Sequence, residues 1–104
     1  MEVRSTQTEN RMTVSLIGEL DHHAARETMQ RLEHLLDAGM PMRLKLDLSR
    51  VTFMDSSGIA VVLRAHRRMA EQGGTLTLGS VPAQAKKVLR AAGLDRTVAM
   101  EESL

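Results

Sequence analysis

Phe53-Met54-Asp55-Ser56-Ser57-Gly58-Ile59 decides the fold, because an extended apolar run gives way there to a helix across two adjacent hydroxyls. Val51 to Met54 reads as a short extended lead-in. Ile59, Val62, Leu63, His66 and Met69 then recur at helical spacing until Gly73-Gly74, which predicts a helix from Ser57 to about Gln72. The first amides of a helix have no intrahelical partner and carry the positive end of its dipole, so an anion is favoured at this turn. Taken alone, Ser56 or Ser57 is an ordinary N-cap. Gly58, without a Cβ, is expected to permit close approach of a partner or to set the backbone geometry of the helix start.

Working outward, three segments alternate apolar and polar residues with the strand period of two. Met12, Val14 and Leu16 alternate with Thr13 and Ser15, Leu44, Leu46 and Leu48 with Lys45 and Asp47, and Leu76 and Leu78 with Thr75 and Thr77. Such strands bury one face only, whereas a sheet covered on both sides reads as continuous apolar runs. Glu2 to Gln7 supplies an edge strand through a turn near Glu9-Asn10. A first helix opens at Asp21 and carries Ala25, Met29, Leu32, Leu35 and Leu36 on one stripe until Gly39 and Pro41. A third opens at Pro82, presents Ala85, Val88, Leu89 and Ala92, and stops at Gly93. Strands separated by helices of this length require crossover connections. The expected fold is α/β, a small mixed and mostly parallel sheet of four to five strands with helices mainly on one face.

Composition narrows the function. The 104 residues suffice for one domain with its own core. Fourteen basic against thirteen acidic residues give a net charge of +1, which argues against a nucleic-acid binder that must neutralise many phosphates. Phe53 is the only aromatic, so stacking platforms for bases are missing too. Without cysteine there is no disulfide, thiol catalysis or thiolate metal site. No apolar stretch approaches the roughly 18 residues that span a bilayer, and Met1-Glu2-Val3-Arg4-Ser5-Thr6 has no hydrophobic signal core, so the expected location is the cytoplasm, without direct membrane insertion.

Gly18-Glu19-Leu20-Asp21-His22-His23, followed by Phe53-Met54-Asp55-Ser56-Ser57-Gly58, resembles the two motifs of bacterial STAS-domain anti-sigma factor antagonists. The likeness runs along nearly the whole chain, through Gly73-Gly74 and Ala92-Gly93-Leu94, as a single STAS domain over 1–104. It implies that Ser56 is phosphorylated by an anti-sigma factor that is itself a serine kinase. Asp55, Ser57 and Gly58 are then the motif neighbours of Ser56, and Asp21 matches an aspartate near the modified serine that helps shape the partner-binding surface. A PP2C-type phosphatase would reset the cycle. Family members often finish with a further helix, whereas this chain stops at Glu101-Glu102-Ser103-Leu104, so that helix is expected to be absent or barely one turn.

Other constellations carry less. Asp21, His22 and His23 suggest a metal, but adjacent histidines at a helix start are expected to point in different directions and lack a third ligand. A hydrolase built on Ser56 needs an oriented base and an oxyanion hole, and there is no G-x-S-x-G elbow. A receiver with Asp55 as phosphoacceptor would want an acidic pair that Glu19 and Asp21 only loosely imitate. Arg64, Arg67 and Arg68 form the one concentrated basic run, read as a solvated helix face or as a surface for an acidic partner. The expectation is a non-enzymatic switch that is monomeric when free and has no cofactor or metal. Unphosphorylated, it binds the anti-sigma kinase and frees the sigma factor; phosphorylated on Ser56, it lets go. The alternative is a STAS docking subunit of a membrane-associated, transporter-type assembly.

Overall fold

A computed structural model describes residues 1–101. Strands β1 (Glu2–Thr8) and β2 (Arg11–Leu20) form an antiparallel hairpin. Helix α1 (His22–Gly39) leads to β3 (Arg43–Met54), α2 (Ser56–Glu71) to β4 (Thr75–Gly79), and α3 (Ala83–Ala91) with a 3-10 turn (Leu94–Arg96) to β5 (Ala99–Met100). The sheet order is β1-β2-β3-β4-β5, and every pair after the first is parallel. Right-handed crossovers that always step in the same direction leave all their helices on one side of the sheet.

Burial follows the alternation. Met12, Val14, Leu16 and Leu20 of β2, Leu44, Leu46 and Leu48 of β3, and Leu76 and Leu78 of β4 are buried under the helices. Thr13, Ser15, Lys45, Asp47 and Thr77, on the opposite face, are half-buried. Each fully buried leucine contributes about 1.5–3 kcal/mol, so this one-sided layer dominates stability.

The extended lead-in is not a separate element. It continues β3, and two bulges explain why the alternation stops after Leu48. From Ser15 to Ile17, β2 advances two residues while β3 advances from Asp47 to Arg50; from Gly18 to Glu19, β2 advances one while β3 goes from Val51 to Phe53. Each extra residue reverses the side facing the core. The buried positions of β3 therefore step from Leu48 to Val51 to Met54, and Phe53 turns outward with 43% of its surface exposed. Gly18, at φ +119 beside the second shift, occupies backbone space that favours glycine.

Two further expectations need correction, and one strand was not foreseen. The buried stripe of α2 is Gly58, Val61, Val62, Ala65 and Met69, so the helix is rotated relative to the expected stripe, and Ile59, Leu63 and His66 lie at its half-buried margin. The left-handed residue ending α1 is Met40, at φ 44, whereas Gly39 is still helical. The fifth strand, β5, has two residues, too few for a periodic signal. The expected absence of a final helix concerns residues 102–104, outside the described residues.

Candidate functional site

The two sequence motifs meet because β2 and β3 are parallel neighbours that end together. Leu20 pairs with Met54, and the Asp55 N–H donates to the Leu20 carbonyl at 3.3 Å. The next residue of each strand is an aspartate in almost the same extended conformation, with φ −111 and ψ −176 at Asp21 and φ −111 and ψ −169 at Asp55. Each is the N-cap of the helix that follows, so α1 and α2 start side by side. Helix α2 begins at Ser56, one residue earlier than the spacing suggested, and the cap is Asp55 rather than a serine.

The carboxylates fill the amide cradle. Asp21 Oδ1 accepts from the N–H groups of His23 and Ala24, both at 3.0 Å. Asp55 Oδ1 accepts from the Ser57 N–H at 2.8 Å, and Oδ2 accepts from the His22 N–H at 3.2 Å, across to the other helix. The Ser57 amide bond is the main cause that holds the Asp55 carboxyl below its ordinary value. The His22 amide and the Ser57 hydroxyl add to it, against a smaller opposing effect of lost hydration. Of the helix-start amides expected to await an outside anion, those of His22, His23, Ala24, Ser57 and Gly58 are thus already bonded within the chain.

Ser56 stands apart from this network. It is the first residue of α2, exposed, while Ser57 is half-buried beside a groove between α1 and α2 lined by Ala25, Met29, Ala60, Val61 and Arg64. Gly58 is buried and helical. An added Cβ would fall on Met54 Cγ and lie 2.9 Å from its sulfur, so the close approach expected of a partner is made by Met54 of the same chain. His22 and His23 also depart from expectation, with ring centroids 3.9 Å apart. Among the described residues, no group of three His, Cys, Asp or Glu side chains is arranged to hold a metal.

The basic run is only partly a solvated face. Arg64 pairs with Glu33 at 3.0 Å and Arg68 with Asp37, tying α2 to α1, while Arg67 is exposed. Two residues near the site escaped the sequence reading. Phe53 belongs to the quoted motif and is the lone aromatic, but nothing in the sequence gives it a place on the surface, because its exposure depends on the bulges. Gln84, on α3, donates to the Met54 carbonyl and accepts from the Met54 N–H, both at 2.8 Å. No spacing rule links residues 30 apart through a side-chain amide.

A family model described as "Mlab, STAS domain" matches residues 3–102, and an anti-sigma F factor antagonist of Lysinibacillus sphaericus is 33% identical over 88 residues, covering 84% of this chain and 74% of the relative. The chain belongs to the STAS-domain anti-sigma factor antagonist family. This STAS domain is also 30% identical over 88 residues to the anti-sigma-B factor antagonist of Bacillus subtilis (strain 168), across 85% of this chain and 79% of the relative. The structure of the Bacillus cell fate determinant SpoIIAA in the phosphorylated form superposes with a TM-score of 0.73 at 25% identity, covering 98% of this chain and 93% of that one. No helix of the described STAS domain is long and apolar enough to cross a membrane.

Proposed function

We propose that this anti-sigma factor antagonist is a binding switch rather than an enzyme, controlled by phosphorylation of Ser56 by an anti-sigma serine kinase and reset by a PP2C-type phosphatase. The observation that carries the reading is that Ser56 is exposed at the first position of α2, while the neighbouring amides of Ser57, His22, His23 and Ala24 are occupied by the carboxylates of Asp55 and Asp21. A phosphate there adds about −1.5 to −2 charge. The α2 dipole favours it, the adjacent Asp55 carboxylate opposes it, and neither the core nor the caps need rearrange to accommodate it. The charge therefore falls on the surface a partner would cover. Asp21, Asp55 and Ser57 frame that surface, Gly58 supports it from beneath through Met54, and the exposed Phe53 at its margin supplies an aromatic anchor of the kind that dominates interfaces. An uncompensated charge within a covered interface costs several kcal/mol, enough for release.

The test is phosphorylation by the candidate kinase with ATP, followed by mass-spectrometric site mapping. Modification is expected at Ser56 and is expected to be abolished by Ser56→Ala. Mapping to Ser57, Thr52 or another residue overturns the assignment. Co-purification with transporter subunits, without modification, replaces the switch with a docking role in a membrane-associated assembly.

A further inference from the structure

Strand β4 stops short of the switch. Its last residue, Gly79, pairs with Asp47, whereas β3 runs on to Met54. On that side, the final stretch of β3 has no strand to receive its backbone groups. A residue in a parallel strand directs its N–H and C=O toward the same neighbour, and successive residues alternate between neighbours. The Met54 groups face the gap left by β4, while the following N–H, that of Asp55, reaches back to Leu20 of β2. Gln84 fills the gap. Its side-chain amide reproduces the donor and acceptor of a missing strand residue, with both hydrogen bonds at 2.8 Å. The same α3 is fixed to the core by Ala85 and Leu89.

We propose that Gln84 is a positioning residue for Ser56, acting as a one-residue substitute for strand pairing that holds the end of β3 from the α3 side while Leu20 holds it from the β2 side. This rests on the reading of Ser56 as the modified serine. The consequence is geometric. Met54 is followed directly by the cap Asp55 and then by Ser56, so two anchors on opposite sides of the strand fix where the hydroxyl is presented. With the Gln84 anchor gone, the end of β3 keeps its bonds on the β2 and α1 side, to Leu20 and through Asp55 to His22, but is loosened on the α3 side, and Ser56 samples positions in which a kinase cannot align it for transfer. Gln also serves where another residue of similar length does not, because only a terminal amide offers a donor and an acceptor side by side.

Gln84→Met keeps the length of the side chain and removes both hydrogen bonds. In the free protein, hydrogen exchange at the Met54 amide is expected to accelerate at least about tenfold, while buried amides of β2 and β4 keep their parent rates. With the kinase that modifies Ser56, kcat for phosphorylation of this variant is expected to fall at least about threefold with KM within a factor of two, measured well below its melting temperature. A role confined to stability would lower the melting temperature and leave phosphorylation of the folded protein unchanged. Unchanged Met54 exchange overturns the clamp whatever the kinase does. Accelerated exchange with unaltered kcat overturns the positioning role. Failure of the parent protein to be modified at Ser56 overturns the functional reading instead, with the exchange measurement still deciding whether the clamp exists.

Discussion

The Asp21 and Asp55 turns are the same device built twice, yet only the second is suited to switching. Both follow parallel strands that end in register, both cap a helix with an aspartate in an extended conformation, and both place that carboxylate on the next helix's own amides. They differ in three respects. After the cap, the first turn has His22 and the second Ser56, so only the second offers a hydroxyl at the helix start. Three residues after the cap, the first has Ala24 and the second Gly58, and only at Gly58 does the space for a methyl already hold a buried side chain, Met54. The Asp21 carboxylate serves α1 alone, whereas that of Asp55 bonds both helices. The first turn is a cap. The second is a cap packed hard against the core beneath an exposed nucleophile.

The largest expected effect comes from charge at the two equivalent helix starts. Ser56→Asp is expected to keep the circular dichroism spectrum and melting temperature of the parent while weakening binding to the kinase by at least tenfold, or about 1.4 kcal/mol. His22→Asp puts the same charge at the first position of α1 and is expected to weaken binding less. Equal losses would show that the partner senses general charge at this end of the sheet and not Ser56 itself. Unfolding of Ser56→Asp would replace the steric and electrostatic account with a conformational one.

A smaller effect is expected within the second turn. Gly58→Ala improves helix propensity by about 1 kcal/mol, but its methyl overlaps the side chain of Met54, which is fully buried. Overpacking of this kind costs about 1–3 kcal/mol, so a net loss of up to about 2 kcal/mol is expected in denaturant unfolding. Combining Gly58→Ala with Met54→Ala is expected to give less than the sum of the two single losses, because the second substitution removes the atoms that clash. A stabilised Gly58→Ala would mean that Met54 yields easily and that glycine is kept here for another reason.

Legibility in the sequence followed periodicity. The regular parts of β2, β3 and β4, the three helices and the one-sided burial were readable because a strand with one wet face and an amphipathic helix have distinct periods. The motif turn was readable through its residue types. What was hidden depended on contacts distant in sequence. The bulges of β3 are defined only against β2, and they decide that Phe53 is exposed and Met54 buried. The rotation of α2 follows from the same point, since Gly58 must face Met54. The two-residue β5 is held by its pairing with β4. At the site, the residue types were legible but their bonding was not. That Asp55 would reach across to His22, or Gln84 to Met54, depends on which strand ends are adjacent and where β4 stops.

The subtlest test of the comparison is acid titration. The Asp55 carboxyl is held below the ordinary aspartate value, chiefly because the Ser57 amide stabilises the ionised form; lost hydration opposes this, and the His22 amide adds to it. Asp47, on the open face of the sheet, is also depressed. Burial is its largest single influence and raises it, but the combined bonds from Ser49 and Ser15, with the nearby charge of Lys45, outweigh that effect. A carboxyl whose folded value is lowered binds protons less readily in the native state than in the unfolded one. Its contribution to stability is therefore complete above about 3.8 and is lost as pH falls through the lower folded value. Asn at position 55 keeps an oxygen acceptor for the Ser57 N–H but cannot titrate. Asp55→Asn is expected to be less stable than the parent at pH 7, with the difference narrowing as pH is lowered from 4 toward 2. Asp47→Asn is expected to converge on the parent in the same range, since its bonds also favour the ionised form. The distinguishing measurement is amide exchange at His22 and Ser57 across that range. Protonation of Asp55 should loosen both helix starts together, whereas the Asp47 variant should leave their acid response as it is in the parent. If the His22 and Ser57 amides lose protection at different pH values, the carboxylate does not couple the two turns, and each helix start stands on its own cap.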